Sequence, residues 1–269
     1  MPEALIHTTA VVDSGARLGT STEIGPYAVV EAGVVIGARC RIGAHAVIKR
    51  FTSMGEDNQI FEGAVLGGVP QDLKFSGAIS YLTIGSANIF REGVTVHRAT
   101  TPGGETRIGN YNYLMVNAHV AHDCLLGNHV ILANNVGLAG HITIEDHAFL
   151  SGGVMIHQFS RIGKHSMVGG HAKVTQDVLP FVLVDGIPAK VRSLNLVGLR
   201  RAGFAPDEIR NLKQASRILF CPGQSLETKL ATMAEIDSDA VRHLVRFIHE
   251  SKRGFCRMSP DTDEQSGFE

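Results

Sequence analysis

Residues 24–48 read IGPYAVVEAGVVIGARCRIGAHAVI, and every sixth residue of this stretch, starting at Ile24, is an isoleucine or a valine. The same register extends in both directions along the chain. Of the 29 multiples of six from position 6 to position 174, 26 are Ile, Leu, Val, Met or Phe, and the exceptions are Asp72, Ala78 and Pro102. A six-residue repeat therefore organises the first two thirds of the chain.

This repeat fits neither the 3.6-residue period of a helix nor the period of two of a long strand. It fits a short strand followed by a turn, with one aliphatic side chain pointing inward in each repeat. Three repeats close a triangular coil of about 18 residues, and the strands of successive coils pair in parallel about 4.8 Å apart. The stacked aliphatic columns form a core that no single repeat could bury alone. The predicted fold is mainly β, a triangular prism of about nine to ten coils.

The breaks in the repeat predict the domain organisation. Pro, Gly and polar residues near 67–83 and 98–107 indicate two loops that leave the wall of the prism. The repeat stops after Pro180, so the prism is expected to occupy residues 1–190. Amphipathic patterns then predict an α-helical C-terminal domain over residues 191–255. The tail, residues 256–269, has no periodicity and is predicted to be disordered.

The composition excludes several classes of protein. The 25 Lys and Arg residues nearly balance the 26 Asp and Glu residues, so no overall field favours nucleic acid or an anionic membrane. No apolar run approaches the ~20 residues of a membrane span, and the N-terminus lacks a signal-peptide pattern. The four cysteines lie far apart without a CxxC pair, which favours reduced packing residues over disulfides. We expect a cytoplasmic protein with no nucleic-acid partner and no stable membrane insertion.

The stacking of equal coils predicts a cluster of polar side chains on one edge of the prism. His122 and Gln158 are separated by two coils and share a column, and His141 lies one coil beyond Asp123. With coils about 4.8 Å apart, these four side chains would lie within about 10 Å of each other. His119 lies half a repeat before His122 in the same coil. The cluster is the candidate site, and His97 is expected two coils before it.

Three interpretations of this cluster remain open from the residues alone. Each histidine could be an ordinary residue of an exposed turn, and His129, His147 and His165, which recur once in every coil, are interpreted as such solvated surface. The cluster could bind zinc, as in a γ-type carbonic-anhydrase-like protein, but the spacing of His119 and His122 differs from the longer interval of that family. The third interpretation is a general base, because histidine titrates near neutral pH and an adjacent carboxylate can orient it.

The general base is the most economical interpretation. The segment at 137–140 brings backbone close to the same edge, and the Gly140 amide could face a developing oxyanion. These columns contain no Ser or Cys apart from Cys124, which is at an inward position. Direct transfer is therefore favoured over a covalent enzyme intermediate.

Several strings of residues resemble those of one known family. They are PQDLK at 70–74, NAHVAHDC at 117–124, AGH at 139–141, HQF at 157–159 and GLRRAGF at 198–204. Together with the repeat, they are similar to the UDP-N-acetylglucosamine O-acyltransferases of lipid A biosynthesis, which are left-handed parallel β-helix enzymes. The resemblance is close over about residues 1–205 and looser over the remaining helices.

The resemblance implies an acyltransferase. It would transfer an (R)-3-hydroxyacyl chain from acyl carrier protein to the glucosamine 3-hydroxyl of UDP-N-acetylglucosamine, with no cofactor and no metal. By resemblance, His122 is the general base, Asp123 its partner and Gly140 the oxyanion donor. The residues that the resemblance assigns to substrate binding are Asp72, Lys74, His97, His119, His141, His157, Gln158, Gly170, Asn195 and Arg201.

The resemblance also implies how the chain assembles and what it contacts. The family is homotrimeric, so the His122 edge is expected in a cleft between two prisms. Gly170 falls where the family limits the acyl tail, and basic residues such as Lys213 and Arg217 suit an acidic carrier protein. Departures such as Ala99, where a glycine is expected, leave one alternative, an acyltransferase of the same fold that N-acylates an amino-sugar nucleotide.

Overall fold

The computed structural model describes residues 3–258. The described residues form 28 strands, most of them two residues long, followed by four helices. The strands are, in chain order, β1 (Leu5–Ile6), β2 (Val11–Val12), β3 (Arg17–Leu18), β4 (Glu23–Ile24), β5 (Val29–Val30), β6 (Val35–Ile36), β7 (Arg41–Ile42), β8 (Val47–Ile48), β9 (Thr52–Met54), β10 (Gln59–Ile60), β11 (Val65–Gly68), β12 (Tyr81–Ile84), β13 (Ile89–Phe90), β14 (Thr95–His97), β15 (Glu105–Ile108), β16 (Tyr113–Leu114), β17 (His119–Val120), β18 (Leu125–Leu126), β19 (Ile131–Leu132), β20 (Gly137–Leu138), β21 (Thr143–Ile144), β22 (Phe149–Leu150), β23 (Met155–Ile156), β24 (Arg161–Ile162), β25 (Met167–Val168), β26 (Lys173–Val174), β27 (Val182–Asp185) and β28 (Lys190–Leu194).

The strands form three sheets, which are the three faces of the prism. The first sheet has the order β1-β4-β7-β10-β13-β16-β19-β22-β25-β27-β28, the second β2-β5-β8-β11-β14-β17-β20-β23-β26, and the third β24-β21-β18-β15-β12-β9-β6-β3. Strands of successive coils pair in parallel, as β1 with β4, whereas β27 and β28 are antiparallel. In regular coils each residue pairs with the residue three repeats further along the chain, for example Leu5 with Glu23. The prediction of a triangular parallel β-helix is confirmed.

The core is a narrow rod of aliphatic side chains along the axis of the prism. Within the coils the aliphatic residue at each multiple of six points inward, and Ile48, Leu114 and Leu150 are fully buried. Small residues fill the positions two before them, such as Ala46 and Ala118, which are also fully buried. Each buried aliphatic side chain contributes roughly 1.5–3 kcal/mol. The result is a rigid scaffold whose corners can carry polar side chains.

The corners of the prism explain why the chain is rich in histidine. Many corner residues adopt a left-handed conformation, including Asp123 at φ 59°, His141 at φ 60° and His147 at φ 60°. Apart from glycine, Asn, Asp and His tolerate this conformation best. The same backbone requirement that turns the chain therefore places imidazoles and carboxylates at the corners, where they can interact from coil to coil.

Two loops leave the prism, and both are shorter than predicted because their ends belong to strands. The first loop spans residues 69–80, between β11 and β12, and the second loop spans residues 98–104, between β14 and β15. Gln59 pairs with Ile89 across the first loop, and Thr95 pairs with His119 across the second. Compared with a regular coil, the first loop thus adds two repeats and the second adds one, which preserves the six-residue register.

The second loop corrects one expectation about the candidate site. Because it lengthens its coil by one repeat, β14 pairs directly with β17. His97 therefore lies one coil from His119, and the expectation of two coils is wrong.

The helices pack at the C-terminal end of the prism. They are α1 (Leu196–Arg201), α2 (Pro206–Phe220), α3 (Leu226–Ala234) and α4 (Asp239–His249). The His243 imidazole on α4 lies 2.8 Å from the Glu145 carboxylate of the prism, which ties the two parts together. None of the helices in residues 3–258 is long and apolar enough to cross a membrane.

The segment after α4 returns to the prism. Cys256 is buried and Met258 forms a β-bridge with Val191. The first residues of the predicted disordered tail are thus packed, and residues 259–269 lie outside the described chain. The cysteines are free thiols, as predicted, and three of the four are buried.

Candidate active site

A histidine–carboxylate pair lies on one edge of the prism. We call this the site edge, the line of corners where strands of the second sheet lead into strands of the third. His122 and Asp123 follow β17, and His122 Nδ1 lies 2.8 Å from Asp123 Oδ2. Each side chain is 12% exposed, so the pair is sheltered but reachable from solvent. Such a pair can orient an imidazole and support its protonated form.

The Asp123 carboxylate is held from the second loop. The Thr100 hydroxyl donates to Asp123 Oδ2 at 2.7 Å, and the Thr100 backbone N–H lies 3.2 Å from both carboxylate oxygens. Asp123 N donates to Thr106 Oγ1 at 2.8 Å. Burial raises the pKa of Asp123, but the hydrogen bonds from Thr100 and His122 outweigh it and leave this pKa below its usual value. Asp123 is therefore an ionised partner for the His122 imidazole.

The next coil brings His141 and Gly140 to the pair. His141 Nε2 lies 3.6 Å from Asp123 Oδ2, and the His141 ring stands nearly perpendicular to the His122 ring, with 5.3 Å between centroids. A Cβ at Gly140 would lie 2.4 Å from His122 Cε1, so only glycine leaves room for this imidazole. Within residues 3–258 the Gly140 N–H has no acceptor. It is free to donate to a substrate.

Two more histidines lie toward the N-terminal side of the pair. The rings of His97 and His119 are 5.0 Å apart, and His119 Nδ1 lies 2.7 Å from Thr95 Oγ1. Burial, together with the nearby His119 and His122, lowers the pKa of His97 to about 4. Burial and His122 also lower the pKa of His119. Both rings are therefore neutral at physiological pH and can act as hydrogen-bonding groups.

Other residues that the sequence indicated also lie on the site edge. Asp72 and Lys74 are in the first loop, where Lys74 N donates to Asp72 Oδ1 at 2.8 Å. His157 and Gln158 are exposed one coil beyond His141, whose ring stacks on Phe159 at 4.7 Å. The first loop follows β11, and His157 and Gln158 follow β23. Both strands belong to the second sheet, so these residues lie on the same edge.

Three indicated residues lie elsewhere on the chain. Gly170 is at a corner between the first and second sheets. Asn195 and Arg201 line a cavity of about 690 Å³ beside the first sheet. A single chain does not bring these residues to His122.

This cavity also contains the column of histidines interpreted as solvated surface. The rings of His129, His147 and His165 stack at 4.7 and 4.6 Å. His129 and His147 are exposed, as expected, but His165 is half-buried. Burial and His147 lower the pKa of His165 to about 4. The interpretation is wrong for His165, because the segment around Asn195 and Phe204 covers it: Asn195 donates to the His165 carbonyl, and the Phe204 ring lies 5.0 Å away.

The site has two possible chemistries. Ligand atoms of His122, Asp123 and His141 lie within 4.8 Å of one another, so the cluster offers three ligands to a metal ion. The same geometry suits a base, since His122 has an ionised partner and lies against Gly140, whose N–H has no acceptor among the described residues.

Sequence reasoning missed three threonines. Thr100 and Thr106 hold Asp123, and Thr95 lies against His119. Their positions depend on how the second loop folds and on cross-strand contacts of hydroxyl groups. No spacing in the sequence gives a signal for Thr100, which is 23 residues from Asp123.

Comparison with known proteins agrees with this geometry. A family profile described as domain 2 of UDP-N-acetylglucosamine O-acyltransferase matches residues 177–256, and bacterial transferase hexapeptide repeats match residues 15–50 and 105–140. The acyl-[acyl-carrier-protein]–UDP-N-acetylglucosamine O-acyltransferase of Paracidovorax citrulli is 54% identical, over 94% of this chain and 99% of its own. The chain belongs to this O-acyltransferase family. The Halorhodospira halophila relative is 49% identical over the same shares of the two chains.

Solved structures of O-acyltransferase relatives have the same fold. The UDP-N-acetylglucosamine acyltransferase of Francisella novicida has a TM-score of 0.91 at 36% identity, covering 96% of this chain and 95% of its own. The Campylobacter jejuni enzyme has a TM-score of 0.89 at 38% identity, covering 94% and 100%. The predicted left-handed parallel β-helix and the acyltransferase class are confirmed.

Proposed function

We propose that this acyltransferase moves an (R)-3-hydroxyacyl chain from acyl carrier protein to the 3-hydroxyl of UDP-N-acetylglucosamine, the first step of lipid A biosynthesis, in the cytoplasm. Family membership supports the two substrates, since the relatives' names contain both. The observation that carries the chemistry is the His122–Asp123 pair beside Gly140, whose N–H has no acceptor within residues 3–258. This arrangement suits the transfer of an acyl group to a hydroxyl.

The reaction proceeds by direct attack. His122 Nε2 takes the proton of the sugar hydroxyl while the hydroxyl oxygen attacks the thioester carbonyl carbon. The Gly140 N–H donates to the carbonyl oxygen as it becomes an oxyanion. The tetrahedral intermediate collapses, the carbon–sulfur bond breaks, and the thiolate takes the proton from His122. Asp123 stabilises the imidazolium between the two proton transfers. These steps use no cofactor.

The other residues of the site edge bind the two substrates. In the first loop, Asp72 is half-buried and Lys74 is exposed, and both suit the polar sugar nucleotide. The lining is completed by His97, His119, His141, His157 and Gln158. A cavity of about 620 Å³ runs from His141 and Phe159 to Arg161 and Arg253 at the helical domain. It offers a path for the pantetheine arm. The carrier protein itself is acidic and suits the basic surface around Lys213 and Arg217, which line one groove on α2.

We propose a homotrimer in which each active site is shared by two chains. The support is the position of Gly170, Asn195 and Arg201, which are away from the site edge of their own chain. A neighbouring prism would supply them across a cleft, where Arg201 suits a phosphate. A Cβ at Gly170 would meet only Gly152 O at 3.6 Å, so there is room for a long acyl tail.

The decisive experiment incubates the protein with hydroxyacyl carrier proteins of several chain lengths and UDP-N-acetylglucosamine, and identifies products by mass. We expect an O-acylated product whose formation falls about 10²- to 10⁴-fold in His122→Ala. A parallel reaction with an amino-sugar nucleotide tests the N-acylation alternative. Absence of product at every chain length would refute the proposed function.

A further inference from the structure

The second loop begins with Arg98, a buried arginine that forms no ion pair with the described part of the chain. Arg98 is 7% exposed, and its Nε has no hydrogen-bond partner within residues 3–258. Its guanidinium carbon lies 5.4 Å from the ring centroids of both Phe51 and Phe75. The nearby carboxylate of Glu31 is taken by Lys49. Arg98 is thus held between two aromatic rings rather than in an ion pair, an arrangement that cation–π attraction stabilises.

The two rings belong to different parts of the chain. Phe51 is at a corner of the rigid prism, whereas Phe75 is in the middle of the first loop. Phe75 N donates to Asp72 O at 2.9 Å and closes a tight turn over residues 72–75. This turn carries Asp72 and Lys74, the two loop residues of the proposed substrate site. The position of Phe75 therefore sets the position of the turn.

Few other side chains hold this turn down. Leu73 is fully exposed and Val69 and Ile79 are more than half exposed, whereas Pro70, near the start of the loop, is buried, so no apolar side chain between residues 71 and 79 is fully buried. A loop of this kind has many accessible conformations, and restricting them costs conformational entropy. The contact of Phe75 with Arg98 is the anchor in the middle of the loop.

Residues 98–100 also contact both ends of the first loop and the His122–Asp123 pair. Arg98 N donates to Gly68 O at 3.0 Å, where the first loop begins, and the Ser80 hydroxyl donates to Ala99 O, where it ends. The next residue, Thr100, binds the Asp123 carboxylate. Residues 98–100 therefore join the substrate-binding turn to the catalytic pair within three consecutive positions.

We propose that Arg98 is a positioning residue that holds the turn at residues 72–75 in register with His122 and Asp123. Its kinetic consequence rests on the proposed function, because the turn matters only if the sugar nucleotide binds there. Arg98 acts through Phe75 and does not bind substrate, since its side chain is buried. If the turn at residues 72–75 is misplaced, the His122–Asp123 pair stays intact, but the sugar nucleotide binds more weakly and is less well aligned.

The contact can be tested without measuring activity, because the chain contains no tryptophan. Phe75→Trp places a single fluorophore on the first loop, with a ring that favours cation–π contact. Acrylamide quenching of Phe75→Trp is compared with the same variant carrying Arg98→Gln, Arg98→Lys or Arg50→Gln. Arg50 is the matched control, an exposed arginine beside Phe51 that lies 3.6 Å from Glu31. We expect Arg98→Gln to raise the quenching constant, Arg98→Lys to preserve most of the protection and Arg50→Gln to change nothing.

Kinetics of the chain with its native Phe75 test the consequence. Arg98→Gln should raise the KM for UDP-N-acetylglucosamine by about tenfold or more, with a much smaller change in kcat and in the KM for the acyl carrier protein. Arg98→Lys should recover most of the affinity. Phe75→Leu removes the ring from the loop side and should reproduce the KM effect, even if Arg98→Gln does not fold.

Two results would overturn the proposal. One is equal quenching of the tryptophan in the Arg98→Gln and Arg50→Gln backgrounds. The other is a loss of kcat or thermal stability in Arg98→Gln without a specific rise in the KM for the sugar nucleotide, which would indicate a purely structural role. If the unmodified enzyme transfers no acyl group, the proposed function fails, whereas the quenching experiment still decides whether Arg98 holds the loop.

Discussion

The Thr100 hydroxyl donates to Asp123 Oδ2 at 2.7 Å, although the two residues are 23 positions apart and on different coils. The Thr100 backbone N–H lies 3.2 Å from both carboxylate oxygens, and His122 Nδ1 shares the same Oδ2 at 2.8 Å. The His122–Asp123 pair, the proposed catalytic pair, is thus fixed by a loop that the six-residue repeat does not contain. A rigid prism supplies the imidazole, and the inserted loop orients its partner.

Removing this hydroxyl should weaken catalysis without breaking the prism. In Thr100→Val the hydrogen bond that lowers the Asp123 pKa is lost, so this pKa should rise and the carboxylate should lose its fixed orientation. We expect kcat/KM to fall by roughly 10- to 100-fold, and its acid limb to move to higher pH. The measurement is the pH profile of kcat/KM. Thr101→Val, a change at the exposed neighbour in the same loop, should leave the profile unchanged, and an unshifted acid limb in Thr100→Val would count against the role of Thr100.

A methyl group at Gly140 should displace the His122 imidazole, the proposed base. The Cβ of Gly140→Ala would lie 2.4 Å from His122 Cε1 and 2.8 Å from Nε2, closer than such atoms can approach. The imidazole has to move, so the transfer rate should fall by about 10²-fold or more. The matched control is Gly152→Ala, where the nearest atom to a Cβ is Asn134 O at 3.4 Å. Both variants should unfold at nearly the same temperature as the unmodified enzyme, and a fully active Gly140→Ala would exclude the described position of His122.

The sequence alone predicts much of this architecture. The aliphatic residue at each sixth position must be buried, and this requirement defines the coil, the parallel register and the columns in which His122, Asp123 and His141 meet. Asp72, Ala78 and Pro102 break the pattern, and all three lie in the two loops. Their position shows that a break in a strict repeat is as informative as the repeat.

What the repeat does not predict depends on the loops and on long-range packing. The second loop inserts one extra repeat, so counting uniform coils does not place His97 beside His119. The contacts of Arg98 and Thr100 come from irregular backbone, for which the sequence offers no period. Burial of His165 depends on Asn195 and Phe204, which flank the first helix after the prism, so counting along the repeat could not reveal it.

The buried His97 should make stability depend on pH. Its pKa is lowered to about 4 in the folded chain, whereas an unfolded histidine titrates near 6.5. Between these values the unfolded state binds more protons, so the free energy of unfolding should fall as the pH drops from about 6.5 to about 4. The loss from His97 alone is on the order of 3 kcal/mol at the end of this range.

Denaturant unfolding at fixed protein concentration and several pH values checks this slope. His97→Asn should lower stability at neutral pH but show a shallower decline between pH 6.5 and 4. His249→Asn, at an exposed position on α4, should keep the slope of the unmodified chain. Equal slopes in all three proteins would show that His97 does not stay neutral when buried.

Metal removal separates the two chemistries that the site permits. Asp123 already accepts hydrogen bonds from Thr100 and His122, so we expect its carboxylate to serve the imidazole rather than a metal ion. Dialysis against a strong chelator should therefore leave acyl transfer unchanged, with metal content measured on the same sample. If activity disappeared and returned with added zinc, His122 would be a ligand and not the base.

Mixing two inactive variants tests whether the site is shared between chains. His122→Ala lacks the proposed base on the site edge, and Arg201→Ala lacks a cation that lies beside the first sheet. In a trimer formed from both, a site between two chains can draw His122 from one and Arg201 from its neighbour, and random assembly should restore roughly a quarter of the activity of the unmodified enzyme.

Co-expression of the two variants, followed by activity measurement on the purified mixture, tests this expectation. His122→Ala mixed with Asp123→Ala should stay inactive, because both residues belong to the same edge of one chain. No recovery in the first mixture would place the whole site within a single prism.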